Sequence, residues 1–502
     1  MTVAELVRVL EPMPGYDAPT TGLRGLDVTC TGVTHDSRRA ARGTVFVGLR
    51  GFKADGAVFA PAAIASGAAA IVASEPPSDT VDVPWFVVED ARLALALLAA
   101  EFYGHPSADM KVIGITGTNG KTTTSYLVNA MFDAAGTATG LMGTVTYRIG
   151  SRAVNATRTT PEAPELQAMM REMVDAGCGA CVMEVSSHAL ALRRADGIQF
   201  AAGVFTNLTR DHLDFHAGMD DYFAAKRRLF ELLPADAPAA INIDDPRGAS
   251  LVEICDRPVT YGINKAAVVS PGPLSFSLDG LTFDIRTPRG LVRAESRLVG
   301  KPNVYNILAA VATASELDVP LGAIEDGLRR LKGVPGRFEV VSGTDDDVTV
   351  VVDYAHTDDA LRNLLETARP MAARRLITVF GAGGDRDRMK RPLMGMVAAR
   401  LSDVVVITSD NPRSEDPKQI IEEVKRGADP ETKQRGAEVL SIVDRREAIV
   451  RAVQMAGSGD VLLIAGKGHE KYQEVAGRTM PFDDIEVARE ALETRRLKSG
   501  AG

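Results

Sequence analysis

Cysteine, tryptophan, long apolar runs and excess positive charge are all scarce in this chain. Only four of its 502 residues are cysteine, namely Cys30, Cys178, Cys181 and Cys255, too few to staple a chain of this length, so a disulfide scaffold is excluded. Cys178 and Cys181 form a C-x-x-C, but no second cysteine pair or histidine pair stands at zinc-like spacing. They read as small residues at the start of a buried strand. No apolar run reaches the length of a membrane span, and the opening MTVAELVRVLEPMPGYD carries acidic residues and no cleavable apolar core. The expectation is a cytoplasmic protein with no membrane insertion. Acidic residues (66) outnumber Lys and Arg (57), giving a net charge of −9. That excludes broad electrostatic attachment to nucleic acid, so an anionic ligand has to be held by local basic residues.

What is present is an ordinary globular composition, 45% hydrophobic and 25% charged. The length suggests two to four domains. One stretch organises the rest: Val112 to Thr124, VIGITGTNGKTTT. A buried strand from Lys111 to Thr116 delivers Gly117 and Gly120 to a tight turn, where missing side chains let backbone N–H groups approach phosphate oxygens. Leu127, Ala130, Met131 and Ala134 then recur at helical spacing, so the turn opens a helix whose positive end faces the same anion. Lys121 would meet the β/γ-phosphates and Thr122 would hold Mg²⁺. The usual glycine five residues before Gly120 is replaced by Ile115. A bare glycine turn is often only structural; the lysine and threonine that follow favour nucleotide binding.

Residues 1 to 105 read as a small α/β domain, with apolar pieces such as Thr44 to Val47 between turns. Its polar clusters, His35 to Arg38 and Gly51 to Gly56, are ordinary surface turns when taken alone. From 106 to 335 the pattern is strand, polar loop, helix, repeated, and continuous apolar runs indicate a mainly parallel sheet with helices around it. Ligands in such sheets sit at the carboxyl ends of the strands, where Glu184, Ser186, His188, Asn207, Asp211 and His212 fall. Lys226, on the helix that follows, reads as one more exposed helical lysine. Residues 268 to 300 resemble short antiparallel strands, and Gly333 to Arg337 breaks the chain. From 336 to 502 four strands end in DYAH, GAGGDRD, SDNPR and AGKGHE. Arg386 and Arg413 can fork onto carboxylates while Asp410 and Glu470 receive ammonium groups, which suits a zwitterionic ligand. GAGGDRD lacks the G-x-G-x-x-G spacing of dinucleotide binders.

The ordered motifs GTNGKTT, EVSSH, FTNLTRDHLD, the AAK of Lys226, VDYAHT, GGDRDxxKRP, DNPR and GKGHE resemble the cytoplasmic Mur ligases of peptidoglycan synthesis over nearly the whole chain. The resemblance implies three α/β domains: a small N-terminal one for a UDP-sugar (1–105), a central P-loop-type, mainly parallel sheet for ATP (106–335), and a Rossmann-like C-terminal one for the incoming amino acid (336–502). It implies an ATP-dependent amide ligase that joins meso-2,6-diaminopimelate to UDP-N-acetylmuramoyl-L-alanyl-D-glutamate through an acyl phosphate, acting as a monomer. Carried over by position, Thr116, Gly117, Thr118, Asn119, Gly120, Lys121, Thr122, Asn306, Arg337 and Asp353 contact ATP. Thr122 and Glu184 bind one Mg²⁺; His212 and a carbamylated Lys226 (N6-carboxylysine) bind a second. Lys121, Lys226, His212 and Glu184 carry the catalysis. Ser37, Phe52, Lys53, Ala54, Thr159, Thr160, Ser186 and Arg194 match positions for the UDP-sugar dipeptide. Arg386, Asp410, Asn411, Pro412, Arg413, Gly466 and Glu470 match those for diaminopimelate, with Arg413 pairing its distal carboxylate. Ala57 and Ala382 depart from residues common in relatives. The alternatives are a lysine-adding ligase, a folylpolyglutamate synthetase, or a nucleotide-dependent switch without ligase activity; DNPR and the UDP-sugar motifs speak against the first two.

Overall fold

The computed structural model describes the chain apart from residues 20–21, 52–54, 278–279, 429–435 and 500–502. Three main sheets follow one another along it. The first is a parallel four-stranded sheet taken in sequence order, Gly32–Thr34, Thr44–Val47, Ala70–Ala73 and Trp85–Val87. The second has eight strands, ordered Pro258–Tyr261, Ala239–Asn242, Ala202–Phe205, Lys111–Thr116, Ala180–Glu184, Thr139–Met142, Thr146–Ile149 and Arg152–Asn155. Its first six strands are parallel and the last two turn back as an antiparallel edge. The third has six strands, ordered Glu339–Val340, Thr349–Asp353, Val461–Ala465, Leu376–Phe380, Val404–Ile407 and Glu438–Ser441, parallel except for the short first one. The expected antiparallel strands lie at Ser270–Pro271, Ser275–Ser277, Gly280–Thr287 and Gly290–Ser296. The chain is therefore α/β with three domains, the central sheet mainly parallel and the C-terminal one doubly covered by helices.

The strand Lys111–Thr116 shows why the central sheet has helices on both faces. Ile113 and Ile115 point into one core with Leu127, Met131 and Ile307, while Val112 points into another with Phe200, Leu229 and Phe230. Each such side chain contributes roughly 1.5–3 kcal/mol when fully buried, so neither face is left to water. Gly114 matters for what lies above it: a Cβ there would come 2.8 Å from the Phe200 ring and 2.9 Å from Leu229 Cδ1. Its absence lets the helix Met219–Glu231 lie close to the strand. That helix buries Tyr222, Phe223, Lys226, Leu229 and Phe230, one face at helical spacing with a lysine in its middle. Among the described residues no helix is long and apolar enough to cross a membrane.

Candidate functional site

The phosphate turn forms as its sequence implies. The strand stops at Thr116, and the helix Lys121–Ala134 starts immediately after Gly120. Gly117 has φ +142°, and a Cβ there would come 1.9 Å from Thr206 Oγ1, so the turn closes tightly against the neighbouring strand end. Asn207 fastens it: Thr118 N donates to its carbonyl at 2.8 Å and Asn119 N to its Oδ1 at 2.9 Å. Lys121 Nζ donates to the carbonyls of Gly117 and Thr118 at 2.9 and 2.8 Å, and burial lowers its pKa. Thr122 Oγ1 donates to Glu184 Oε2 at 3.1 Å; Glu184, 1% exposed, also accepts from Thr144 N at 2.8 Å and Thr144 Oγ1 at 3.0 Å. Among the described residues the buried hydroxyl of Thr116 has no hydrogen-bond partner.

Lys226 is where the expectation from sequence fails. Far from being exposed, it is 1% accessible, its Nζ donating to Gly117 O at 2.8 Å beneath the turn and lying 4.4 Å from the centre of the Tyr222 ring. Burial, and then the neighbouring Lys121, push its amine well below the usual lysine range. The signal was the face it shares with Tyr222, Phe223, Leu229 and Phe230. His212 stands in left-handed backbone, φ +56°, with its ring 4.9 Å from that of His188 and 6.0 Å from that of Tyr222. Burial lowers its pKa to about 3, leaving the imidazole neutral.

Two adjoining clefts bring most of the remaining candidates together. One, of about 580 Å³, is lined by Lys121, Thr122, Glu184, His212, Asn306 and Arg337, and also by Thr159, Thr160, Ser186, Arg194 and Asp353. Thr160 Oγ1 donates to Glu184 O at 2.9 Å and accepts from Ser186 N at 3.1 Å, and Arg194 Nη1 donates to Thr160 O at 3.1 Å. Ser37 does not line this cleft. It lies in a single 3₁₀ turn, Ser37–Arg39, of the small N-terminal domain, capped by Asp36. Phe52, Lys53 and Ala54 lie outside the described residues. The second cleft, of about 640 Å³, is lined by Asp410, Asn411, Arg413, Gly466 and Glu470, with Arg386 lining both. Pro412 is buried behind it, its carbonyl accepting from Glu415 N at 3.0 Å. Arg413, φ +52°, is held by backbone pairing with the hairpin Tyr472–Val475 and Arg478–Pro481: its N donates to Glu474 O at 3.0 Å and its O accepts from Ala476 N at 2.7 Å.

The sequence names several of the groups that join the central and C-terminal domains across these clefts, but not which of them meet. Arg337 Nη2 donates to Thr122 Oγ1 at 3.1 Å, and Asn119 Nδ2 to Asp359 Oδ2 at 2.9 Å. Asp211 faces His356 at 3.8 Å and buried Lys390 at 4.0 Å. His356 and Lys390 fall inside quoted motifs, but their partner is far away in sequence and no local pattern names it. A third cavity, of about 740 Å³, flanks the turn on the side of Gly120, Tyr305, Asn306 and Asp359.

A phosphate turn on a parallel sheet, joined across two clefts to a second parallel sheet that presents arginines and carboxylates, defines an ATP-dependent acid–amino-acid ligase. The chain belongs to the Mur ligase family. Profiles described as the Mur ligase middle domain, the Mur ligase glutamate ligase domain and the Mur ligase family catalytic domain match residues 115–314, 336–468 and 29–103. It is 46% identical over 517 residues to a protein of Geobacter metallireducens named UDP-N-acetylmuramoyl-L-alanyl-D-glutamate–2,6-diaminopimelate ligase, covering 99% of each chain. It is 47% identical to the protein of the same name from Gloeobacter violaceus, covering 94% of this chain and 96% of that one. A solved structure bearing that name superposes with a TM-score of 0.66 at 34% identity, over 95% of this chain and 99% of the other. The Thermotoga maritima MurF ligase in complex with ADP shares the fold, TM-score 0.63 at 19% identity, over 93% and 98%.

Proposed function

We propose that this protein joins the amino group of meso-2,6-diaminopimelate to the D-glutamyl carboxyl of UDP-N-acetylmuramoyl-L-alanyl-D-glutamate, consuming ATP, in the cytoplasmic stage of peptidoglycan synthesis. A carboxylate is a poor electrophile until one of its oxygens becomes a leaving group. Its oxygen attacks the γ-phosphorus and ADP departs; the amine then attacks the acyl carbon, its proton is lost, and inorganic phosphate leaves. The observation that carries the reading is the adjacency of the two clefts, with Arg386 lining both. An activated carboxyl beside Lys121 is thereby within reach of an amino acid held by Arg413, Asp410 and Glu470.

The residues around the turn suit a nucleotide triphosphate and Mg²⁺. The unpartnered Thr116 hydroxyl, the glycine turn and Lys121 are the donors that phosphate oxygens need. Thr122 and Glu184 offer hard oxygen atoms. Among the described residues no three His, Cys, Asp or Glu side chains converge as a preformed cage, which fits an ion that keeps its waters and substrate phosphates. Mg²⁺ would supply charge neutralisation in phosphoryl transfer, a reaction governed by positioning and electrostatics. Burial and the nearby Lys121 hold the Lys226 amine well below the usual lysine range, which favours the neutral form that reacts with CO₂, and carbamylation there would give an anionic oxygen donor beside His212. Thr118, Asn119, Gly120, Asn306, Arg337 and Asp353 would complete the ATP site. Thr159, Thr160, Ser186 and Arg194 would hold the dipeptide end of the UDP-sugar, with Ser37 nearer its nucleotide. This assigns residues 1–105, 106–335 and 336–502 to UDP-sugar, ATP and amino acid.

The test is phosphate release in the presence of ATP, Mg²⁺ and the UDP-dipeptide, with diaminopimelate or lysine added. Release that requires both the dipeptide and diaminopimelate supports the reading. Release with nucleotide alone indicates a switch, and equal turnover with lysine removes the specificity.

A further inference from the structure

The acidic wall of the second cleft is held from behind by a residue that does not itself line it. Lys467 lies just past the strand Val461–Ala465, and its side chain is wholly buried. Its Nζ donates to Asn411 Oδ1 at 3.0 Å, to Glu470 Oε2 at 3.3 Å and to Asp410 Oδ1 at 3.4 Å. Three donors meet three acceptors drawn from the loops that follow two different strands. Two of these acceptors are tied together, Asn411 Nδ2 donating to Glu470 Oε2 at 2.9 Å, and Asn411 Oδ1 also accepts from Glu474 N at 2.9 Å. Tyr472 closes the far side, its ring centre 5.5 Å from Nζ. Asp410, Asn411 and Glu470 face the cleft, and Lys467 lies behind them.

Two carboxylates and one ammonium leave a single negative charge, the complement of one further ammonium. The neighbouring arginines place their hydrogen bonds on other acceptors, while the charge of Arg445 still acts on Asp410. Arg445 pairs with Asp484 at 2.8 and 2.7 Å and donates to Ala465 O at 3.0 Å, and Arg413 donates to Gly384 O at 2.6 Å with Glu474 at 3.4 Å from its Nε. We infer that Lys467 is a positioning and specificity-determining residue: without touching the amino acid, it locks Asp410 and Glu470 into one singly negative receptor for the ammonium at the distal end of the incoming amino acid. Burial, and then the charge of Asp410, push the Glu470 carboxyl up; burial acts on Asp410 in the same direction, but Lys467 and Arg445 outweigh it and hold that carboxyl down. Without Lys467 the two acids would share a proton and present a different charge.

The inference rests on the proposed amino-acid site, and the experiment separates the two. Initial rates are measured for the full-length enzyme and Lys467→Met with meso-diaminopimelate and with 2-aminopimelate, which keeps the distal carboxylate and lacks the distal ammonium. The unmodified enzyme should prefer diaminopimelate by at least about 100-fold in kcat/KM. Lys467→Met should shrink that preference below about 10-fold, through a rise of about 30-fold in KM for diaminopimelate with KM for ATP changed by less than about 2-fold. No preference in the unmodified enzyme would overturn the amino-acid site itself. A preserved preference in Lys467→Met, or equal losses for all three substrates, would overturn the role of Lys467 alone. If the methionine variant fails to fold, Lys467→Gln is read by the same criteria, since it retains donors and lacks the charge.

Discussion

Lys226 Nζ donates to the carbonyl of Gly117 at 2.8 Å across 109 residues of sequence. A helical lysine is thereby built into the underside of the phosphate turn, close to Lys121; among the described residues no carboxylate forms an ion pair with it, though the charge of Asp211 acts on it from a distance. Two buried amines so placed disfavour each other's charge, which supports the carbamylation proposed for Lys226.

Lys226→Ala should therefore lose at least about 1000-fold in kcat while folding normally by circular dichroism. Short carboxylic acids added to the assay should restore part of the rate by supplying the missing oxygen donor. Full activity without any additive would dismiss the carbamate.

Gly114 tests how that lysine is delivered. Gly114→Val places methyl groups where Phe200 and Leu229 pack, 2.8 and 2.9 Å from the first added carbon. Overpacking of this kind costs about 1–3 kcal/mol. Because it displaces the helix bearing Lys226, kcat should fall by more than 10-fold as thermal stability drops. A lowered melting temperature with unchanged kcat would show the helix position to be irrelevant to the chemistry.

Arg413→Ala should raise KM for diaminopimelate about 100-fold, the value of a charge-assisted bidentate pair of roughly 2–3 kcal/mol. KM for ATP should stay within about 2-fold, measured by phosphate release. Equal shifts for both substrates would remove Arg413 from the amino-acid site.

Arg391 is wholly buried and donates to Glu415 at 2.9 and 2.7 Å, to Glu423 at 2.7 Å and to Gly383 O at 3.1 Å. It thus ties together the loops that carry Arg386 and Arg413. Arg391→Met should cost about 3 kcal/mol in urea unfolding, since removing one partner leaves the others uncompensated. The pH dependence supplies the control. Hydrogen bonds from Arg391 hold the Glu415 carboxyl down at about 2 against an ordinary 4.5. The stabilisation is complete above pH 4.5 and is lost as pH falls toward 2. The variant should be flatter over that interval, and an unchanged slope would place the coupling elsewhere.

Asp36 to Arg38 is the local turn it resembles, with Asp36 accepting from Arg38 N at 3.0 Å and from its guanidinium Nε at 2.8 Å. Lys226 is the opposite case, because the burial of a helical position depends on what the helix lies against. A lysine at helical spacing among Tyr222, Phe223, Leu229 and Phe230 carries the information in its phase, and its residue type hides it.

Local rules acting over short spans were enough to decide the strand Lys111–Thr116, the turn after it, the helix Lys121–Ala134 and the alternation that gives a parallel sheet. Apolar runs, glycine and a helix start are each fixed by neighbours in the chain. Tertiary structure alone decided which charges meet: Lys226 beneath Gly117, Asp211 opposite His356 and Lys390, and Lys467 between Asp410 and Glu470. Parallel strands bring loops from distant stretches to one edge, and a buried charge takes its partner from that edge rather than from its own segment.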